Sequence, residues 1–359
     1  MSSQPNSLAI LAAAGSRKTE FIIDSALAVR EGSVLITTYT NENQRQIVRR
    51  IEKKLGFVPP NITVTGWFSF LIAQCAKPYQ RALTQTHLTI NGLNFKGTRN
   101  RYTPKSSLTY FLDSSGDMYR DGVSDFVVTL DREVKGAVVR RLEKIYTHIF
   151  IDEVQDLVGY DLEVLDLLIN SKINVVLVGD PRQHTLSTNI GSKNKQYRGA
   201  GLATWLAKRQ KRLRIEERTE SYRCCQAICD FADAIYPHLP ATVSRDVPET
   251  DHCGIIQVLL SEVEEYAARY APLTALRHDK NSDTIGLSAI NIGISKGSTF
   301  DRVIIFPTKP MLQFLKDRDS HKLKSPERLY VAVTRARFSV AFAVPVVQCS
   351  SIALYRPKG

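Results

Sequence analysis

A chain of 359 residues has room for two domains of ordinary size. Its content, 43% hydrophobic and 23% charged, is that of a globular protein, and no apolar run approaches the roughly 18 residues of a membrane span. The net charge of +12 suits a polyanionic partner rather than a membrane. Uneven spacing of the cysteines predicts reduced thiols and a cytoplasmic protein, and the start of the chain, without a basic n-region, predicts no signal peptide. Cys224, Cys225 and Cys229 cluster; they read as helix-packing thiols, with a metal or iron–sulfur site as the alternative.

Residues 8–14 form a small apolar strand that enters Gly15-Ser16-Arg17-Lys18-Thr19, and a helix is expected over 20–30. Strand, tight loop, Lys-Thr and helix make the phosphate-loop layout. Backbone N–H groups around Gly15, Ser16 and Arg17 would cradle a phosphate, Lys18 would neutralise the β- and γ-phosphates, and the Thr19 hydroxyl would ligate Mg2+. Two positions depart from G-x-x-x-x-G-K-[ST]: Ala12 replaces the first glycine, and Arg17 the one before lysine, where a side chain has little room.

A strand at 32–39, a charged helix at 40–55, a strand at 61–66 and an aromatic-rich helix at 67–75 follow. Residues 84–131 are polar and broken by Gly, Pro and Ser, and read as an insertion. A helix at 135–144 leads into YTHIFIDEVQD at 146–156, a buried strand over 149–151 that stops at Asp152 and Glu153. Alone, such a pair is more often a solvated acidic turn; beside a phosphate loop it becomes a magnesium ligand and a water-polarising base. A helix at 162–170 and a strand at 173–178 then deliver Gly179-Asp180-Pro181-Arg182-Gln183.

The strongly basic stretch 208–218 marks the expected boundary between domains 1–210 and 211–359. Beyond it, Ser221-Tyr222-Arg223 heads a helix over 224–236, and a loop with prolines covers 238–248. Strands are expected at 254–260, 283–294, 302–306 and 338–345, a polar helix or loop at 309–324, and a helix carrying Arg335 at 326–336. Alternating strands and helices in both halves predict an α/β fold of parallel sheets flanked by helices. Segments 15–19, 152–153 and 179–183 all fall just past strand ends, where open α/β sheets bind ligands.

In order along the chain stand AAAGSRKT (12–19), TTYTNENQ (37–44), VTGWFSF (64–70), IDEVQD (151–156), VGDPRQ (178–183), YRGA (197–200), SYR (221–223), SKGSTF (295–300) and VAVTRAR (331–337). This set resembles the superfamily 1 helicases of the UvrD/Rep type, in a compact form lacking the large inserted subdomain. The resemblance implies two RecA-like domains with an ATP cleft between them, and ATP and Mg2+ as cofactors. It implies an ATP hydrolase that acts as translocase or helicase on single-stranded DNA, moving 3′ to 5′. It places Lys18 and Thr19 on phosphate and magnesium, Asp152 on magnesium, Glu153 as the base and Gln183 on the γ-phosphate or the attacking water. Lys296 and Gly297 join the nucleotide contacts, and Arg223 and Arg335 reach across from the second domain; either arginine, taken alone, would read as a surface salt bridge. Thr38, Thr40, Trp67, Tyr197 and Arg198 fall on the strand, although Trp67 reads equally well as a core residue. Departures from the family pattern are Arg17, the lack of room in 1–7 for a helix that reads adenine, Thr299 in place of a glutamate, and a short span between Arg223 and Lys296. The competing reading is a nucleotide-gated DNA-binding subunit of a multi-protein complex, with a nuclease or another protein partner, as in anti-phage defence. A small-molecule kinase leaves GDPRQ, SKGSTF and VAVTRA unexplained.

Overall fold

The computed structural model describes residues 7–83, 89–100, 102–189, 191–246 and 250–357. The expectation about an adenine-reading helix concerns residues 1–7, of which 1–6 lie outside this set, as do parts of the predicted insertion and of the proline-containing loop. The chain divides into two compact bodies. One takes the chain to Leu11 together with Lys18–Glu217, the other Ala12–Arg17 together with the chain from Arg218.

The first body is built on a six-stranded sheet. Its strands are β1 (Ser7–Ala12), β2 (Val34–Thr38), β3 (Ile62–Gly66), β4 (His148–Ile151), β5 (Asn174–Gly179) and β6 (Leu213–Arg218), in the order β3-β2-β4-β5-β1-β6. The pairings of β2 with β3 and β4, of β4 with β5 and of β5 with β1 are all parallel. Strands covered on both faces read as continuous apolar runs, and every residue of β2 is buried. Helix α1 (Lys18–Ala28) follows β1, and α2 (Asn41–Leu55) follows β2. Thr40 caps α2, its Oγ1 accepting from the Asn43 N–H at 3.1 Å, and Gly56 ends it in the left-handed conformation.

The predicted insertion is partly core. Leu93–Asn94 and Met118–Tyr119 form a small parallel pair, and α3 (Val123–Glu133) buries Val123, Phe126, Val127 and Leu130. That spacing is one helical stripe, overlooked because the flanking sequence is polar. Helices α4 (Ala137–Ile145) and α5 (Asp161–Ile169) flank β4, and α6 (Gly201–Ala207) leads to β6. The basic stretch 208–218 thus contains a strand, with Leu213 buried.

The second body repeats the architecture with β7 (Gly254–Leu259), β8 (Thr274–Arg277), β9 (Ala289–Asn291), β10 (Phe300–Phe306), β11 (Ala336–Val344) and β12 (Ala353–Leu354), ordered β9-β8-β10-β11-β7-β12. Neighbouring strands in this sheet all pair in parallel. Helices α7 (Gln226–Asp233), α8 (Val263–Arg269), α9 (Lys309–Asp317) and α10 (Pro326–Val333) cover it. The long strand expected at 283–294 is corrected to β9. Thr284–Leu287 is a turn closed by the Thr284 hydroxyl on the Leu287 carbonyl at 2.8 Å, with Ile285 and Gly286 at positive φ, which no strand tolerates. The helix expected to carry Arg335 stops at Val333, leaving Arg335 in the turn before β11. Between Arg223 and Lys296 the described residues supply elements of this sheet and its helices, so no inserted subdomain stands there.

Candidate nucleotide site and strand contacts

Register in the first sheet brings three strand ends to one edge. Leu11 of β1 pairs with Gly179 of β5, and Leu177 of β5 pairs with Ile151 of β4. The residues that follow, Asp152 and Asp180, therefore emerge side by side with the first turn of α1. Thr19 Oγ1 donates to Asp152 Oδ2 at 3.1 Å, and Lys18 Nζ lies 3.9 Å from Asp180 Oδ2. Gln183 Nε2 donates to the same Asp180 oxygen at 2.7 Å. Lys18, Thr19, Asp152 and Gln183 thus lie together at this edge.

Glu153 sits in the left-handed region at φ 57°, a backbone cost of about 1 kcal/mol that fixes where its carboxylate goes. Its N–H donates to Asp152 Oδ1 at 3.0 Å, and its Oε2 accepts from Gln155 Nε2. Gln155 was not singled out from the sequence. Its Oε1 accepts the Asp180 N–H at 3.0 Å, so one buried amide ties Glu153 to the turn that holds Gln183. Gly179 makes this possible, because a Cβ there would stand 2.4 Å from Gln155 Oε1. Composition cannot reveal such a bridge; only the adjacency of β4 and β5 can.

Burial lifts the Asp152 carboxyl to about 6, the charge of Glu153 pushes the same way, and Thr19 and Lys18 pull it back. A buried carboxylate raised in this way beside a hydroxyl is a site that gains from a hard cation. The donor set fits Mg2+, which takes one or two protein oxygens and keeps waters or phosphate oxygens for the rest. Among the described residues no cluster of three His, Cys, Asp or Glu could form an all-protein metal cage. Cys224, Cys225 and Cys229 are buried free thiols, and each Sγ meets a backbone carbonyl.

The loop before Lys18 belongs to the second body and is held there by backbone. Ala13 N–H donates to the Arg218 carbonyl at 2.9 Å, Ala14 N–H to the Tyr330 hydroxyl at 3.2 Å, and Tyr222 N–H to the Gly15 carbonyl at 2.9 Å. Gly15 has φ +80°, and a Cβ on it would meet Ser221 Oγ at 2.5 Å. Arg17 adopts φ 57°, the conformation that glycine favours at this position, and its guanidinium lies 4.0 Å from the Tyr222 ring centroid. Its side chain is therefore drawn onto an aromatic face. Ser16 Oγ is buried with no hydrogen-bond partner among the described residues, an orphaned donor that an anionic oxygen would satisfy.

The arginines and the SKGSTF segment converge on one turn of the second body. Arg223 Nη1 donates to the Thr334 carbonyl at 3.0 Å. Arg335, 1% exposed, donates from Nε to the Val331 carbonyl at 3.0 Å and from Nη1 to the Ser298 carbonyl at 3.2 Å. The surface salt bridge weighed for Arg335 is thereby replaced by a buried guanidinium on carbonyls. Lys296 and Gly297 lie in the loop that ends at that Ser298 carbonyl, Gly297 at φ +88°.

The candidate strand contacts divide. Trp67 is 1% exposed, and its Nε1 donates to Asp161 Oδ1 at 2.8 Å, so its ring is core and offers no stacking face. Asp161 also accepts from Ser124 and Thr188, which ties the residue-67 segment, α3 and α5 together. Thr38 is buried, its Oγ1 accepting from Asn43 Nδ2 at 3.4 Å, and Thr40 is the cap of α2. Tyr197 and Arg198 are half-buried; the Tyr197 hydroxyl accepts from Lys208 Nζ at 2.8 Å, and Arg198 Nη2 donates to the Gly191 carbonyl at 2.5 Å.

Two parallel sheets flanked by helices are the architecture of two RecA-like domains. Residues 68–187 match the UvrD/REP helicase N-terminal domain. That match contains Asp152, Glu153 and Gln183 and leaves the loop at 12–19 outside. No curated protein sequence matches. Among solved structures the chain is similar to Arterivirus nonstructural protein 10 (helicase), at 17% identity and TM-score 0.49, over 95% of this chain and 60% of that one. It is also similar to the PRRSV helicase, at 19% and 0.46 over 96% and 54%, and to the Arterivirus helicase in complex with DNA, at 18% and 0.47 over 95% and 62%. The chain thus spans little more than half the length of these proteins. Among the described residues no helix is long and apolar enough to cross a membrane.

Proposed function

We propose that the chain is an ATP-driven motor that hydrolyses ATP and moves 3′ to 5′ on single-stranded DNA. The observation that carries the reading is the Thr19–Asp152 contact at 3.1 Å, with Lys18 and Gln183 both on Asp180 beside it. Lys18 binds the β- and γ-phosphates, Thr19 and Asp152 hold Mg2+, and the Ser16 hydroxyl and the loop N–H groups take phosphate oxygens. Bound Mg2+ would neutralise charge developing on the phosphates. Glu153, aimed by its left-handed backbone and by Gln155, takes the proton of the attacking water. Gln183 orients that water or reads the γ-phosphate. Arg223 and Arg335 stabilise the transferring group, a task suited to arginine's fixed fork, with Lys296 and Gly297 at the nucleotide. Tyr197, Arg198 and Thr40 meet the strand, where stacking on Tyr197 contributes roughly 1–3 kcal/mol per base.

The second reading, a nucleotide-gated DNA-binding subunit of a multi-protein complex, is favoured by Arg17, which holds a glycine conformation and lies on Tyr222. The ATPase rate with and without single-stranded DNA, in wild type and Glu153→Gln, separates the two. Turnover stimulated by DNA and lost in Glu153→Gln is the expected result. Wild type with no turnover but ATP-dependent DNA binding would replace the motor with the gated subunit.

A further inference from the structure

Tyr330 lies on α10 of the second body and is 1% exposed. Its ring is packed edge-on against Tyr236, the centroids 5.8 Å apart. A phenylalanine would fill that place, and a buried hydroxyl costs free energy unless a polar group meets it. Here it accepts the Ala14 N–H at 3.2 Å, from a segment 316 residues away in the chain. That segment needs a tie. Residues 12–17 lack the first and last glycine of the phosphate-loop pattern, and Arg17 holds φ 57° against its own side chain. A loop not shaped by its own glycines is shaped by what it rests on. Ala13 N–H on the Arg218 carbonyl and Tyr222 N–H on the Gly15 carbonyl are backbone contacts, open to many sequences. The Tyr330 hydroxyl is a side-chain contact, set by residue type. Ala14 is 3% exposed, so without that hydroxyl its N–H would be left buried and unsatisfied in this conformation.

The same residue supports the arginine turn through its backbone. Thr334 Oγ1 donates to the Tyr330 carbonyl at 2.7 Å, and the Thr334 carbonyl accepts from Arg223 Nη1 at 3.0 Å. Replacing Tyr330 with phenylalanine removes the hydroxyl and keeps this carbonyl, so the two roles separate. We propose that Tyr330 is a positioning residue for nucleotide, its hydroxyl holding residues 12–17 in the shape that receives the phosphates. This rests on the motor reading above, which gives the loop its phosphates and Tyr330 no part. Loss of the hydrogen bond disfavours the receiving shape, and apparent affinity falls with the fraction of protein that adopts it.

The test is the Kd of full-length protein for a fluorescent ADP analogue with Mg2+, beside KM and kcat for ATP with single-stranded DNA, in wild type and Tyr330→Phe. The variant is expected to raise Kd and KM about tenfold and to keep kcat, the pattern of a hydrogen bond that acts before the chemistry. A hydroxyl that serves packing alone would lower the melting temperature and leave Kd and KM as in wild type. That result overturns the proposal and leaves the motor reading standing. Hydrogen exchange of nucleotide-free wild type is a second measurement that needs no variant. Slow exchange at the Ala14 amide is expected, and fast exchange overturns the tie whatever the variant does. A wild type that binds no nucleotide overturns both the proposal and the motor.

Discussion

The two bodies share an architecture and use opposite edges of it. In the first, Asp152, Asp180 and Gln183 follow the C-terminal ends of β4 and β5. In the second, the Ser295–Thr299 loop and Arg335 precede the N-terminal ends of β10 and β11, and Phe300 N–H donates to the Arg335 carbonyl at 2.9 Å. The first edge collects acids that repel one another. The second collects arginines that donate to carbonyls. The contrast separates two ways of using charge: the first body stores unfavourable charge at Asp152, whereas the second uses its charged groups to hold its own turn.

Substitution at Asp152 should therefore uncouple function from stability. Its carboxyl is buried and raised to about 6, so in the folded state the charged form is disfavoured relative to the unfolded chain. A raised acid costs stability at every pH above its folded value, and that cost fades as pH falls through it. Asp152→Asn should cut turnover on the order of 10²–10³-fold. Without nucleotide and metal it should leave stability at neutral pH equal, or higher by about 1 kcal/mol. Urea denaturation beside an ATPase assay measures both, and a stability loss above about 1 kcal/mol would show that Asp152 is structural.

Arg335 should behave in the opposite way. Removing a guanidinium that is 1% exposed strips donors from the Val331 and Ser298 carbonyls and leaves a void. Arg335→Ala should cost about 3 kcal/mol as well as turnover. Arg335→Met, which keeps most of the volume, should recover part of the stability and none of the turnover. If both variants melt like wild type, the carbonyl contacts do not hold the turn, and the contrast between the bodies fails.

Much of this was legible in sequence because parallel sheets announce themselves as apolar runs that stop at chemistry. The runs before Asp152 and Asp180 could be read to within a residue or two. Short elements could not: α8 is seven residues and β8 four, too few for a period to show. Depth was also hidden. Trp67 sits in an apolar run that suits either a core or a stacking platform, and the choice was made by Asp161, 94 residues later. The Arg17–Tyr222 contact joins residues separated in sequence by nearly the whole first sheet and its helices, with only a broken glycine pattern to hint at it. Side chains that bridge strands, such as Gln155, leave no pattern in the chain.

Arg17 stands in the loop before Lys18, and its effect should be the smallest. Three contributions nearly cancel on replacing it with glycine. The left-handed backbone of Arg17 costs about 1 kcal/mol, which glycine relieves. Glycine gives back roughly 0.5–1 kcal/mol through the entropy of the unfolded chain, and the stack on Tyr222 is lost, at about 0.5–1 kcal/mol for an exposed cation–π pair. Arg17→Gly should therefore melt within a few degrees of wild type. Because the guanidinium is drawn onto Tyr222, DNA-stimulated turnover should stay within about threefold of wild type, a difference of under 1 kcal/mol in the barrier. A rise of about tenfold or more would mean that the side chain obstructs the phosphates, and that the loop, rather than the acids of the first body, sets the rate.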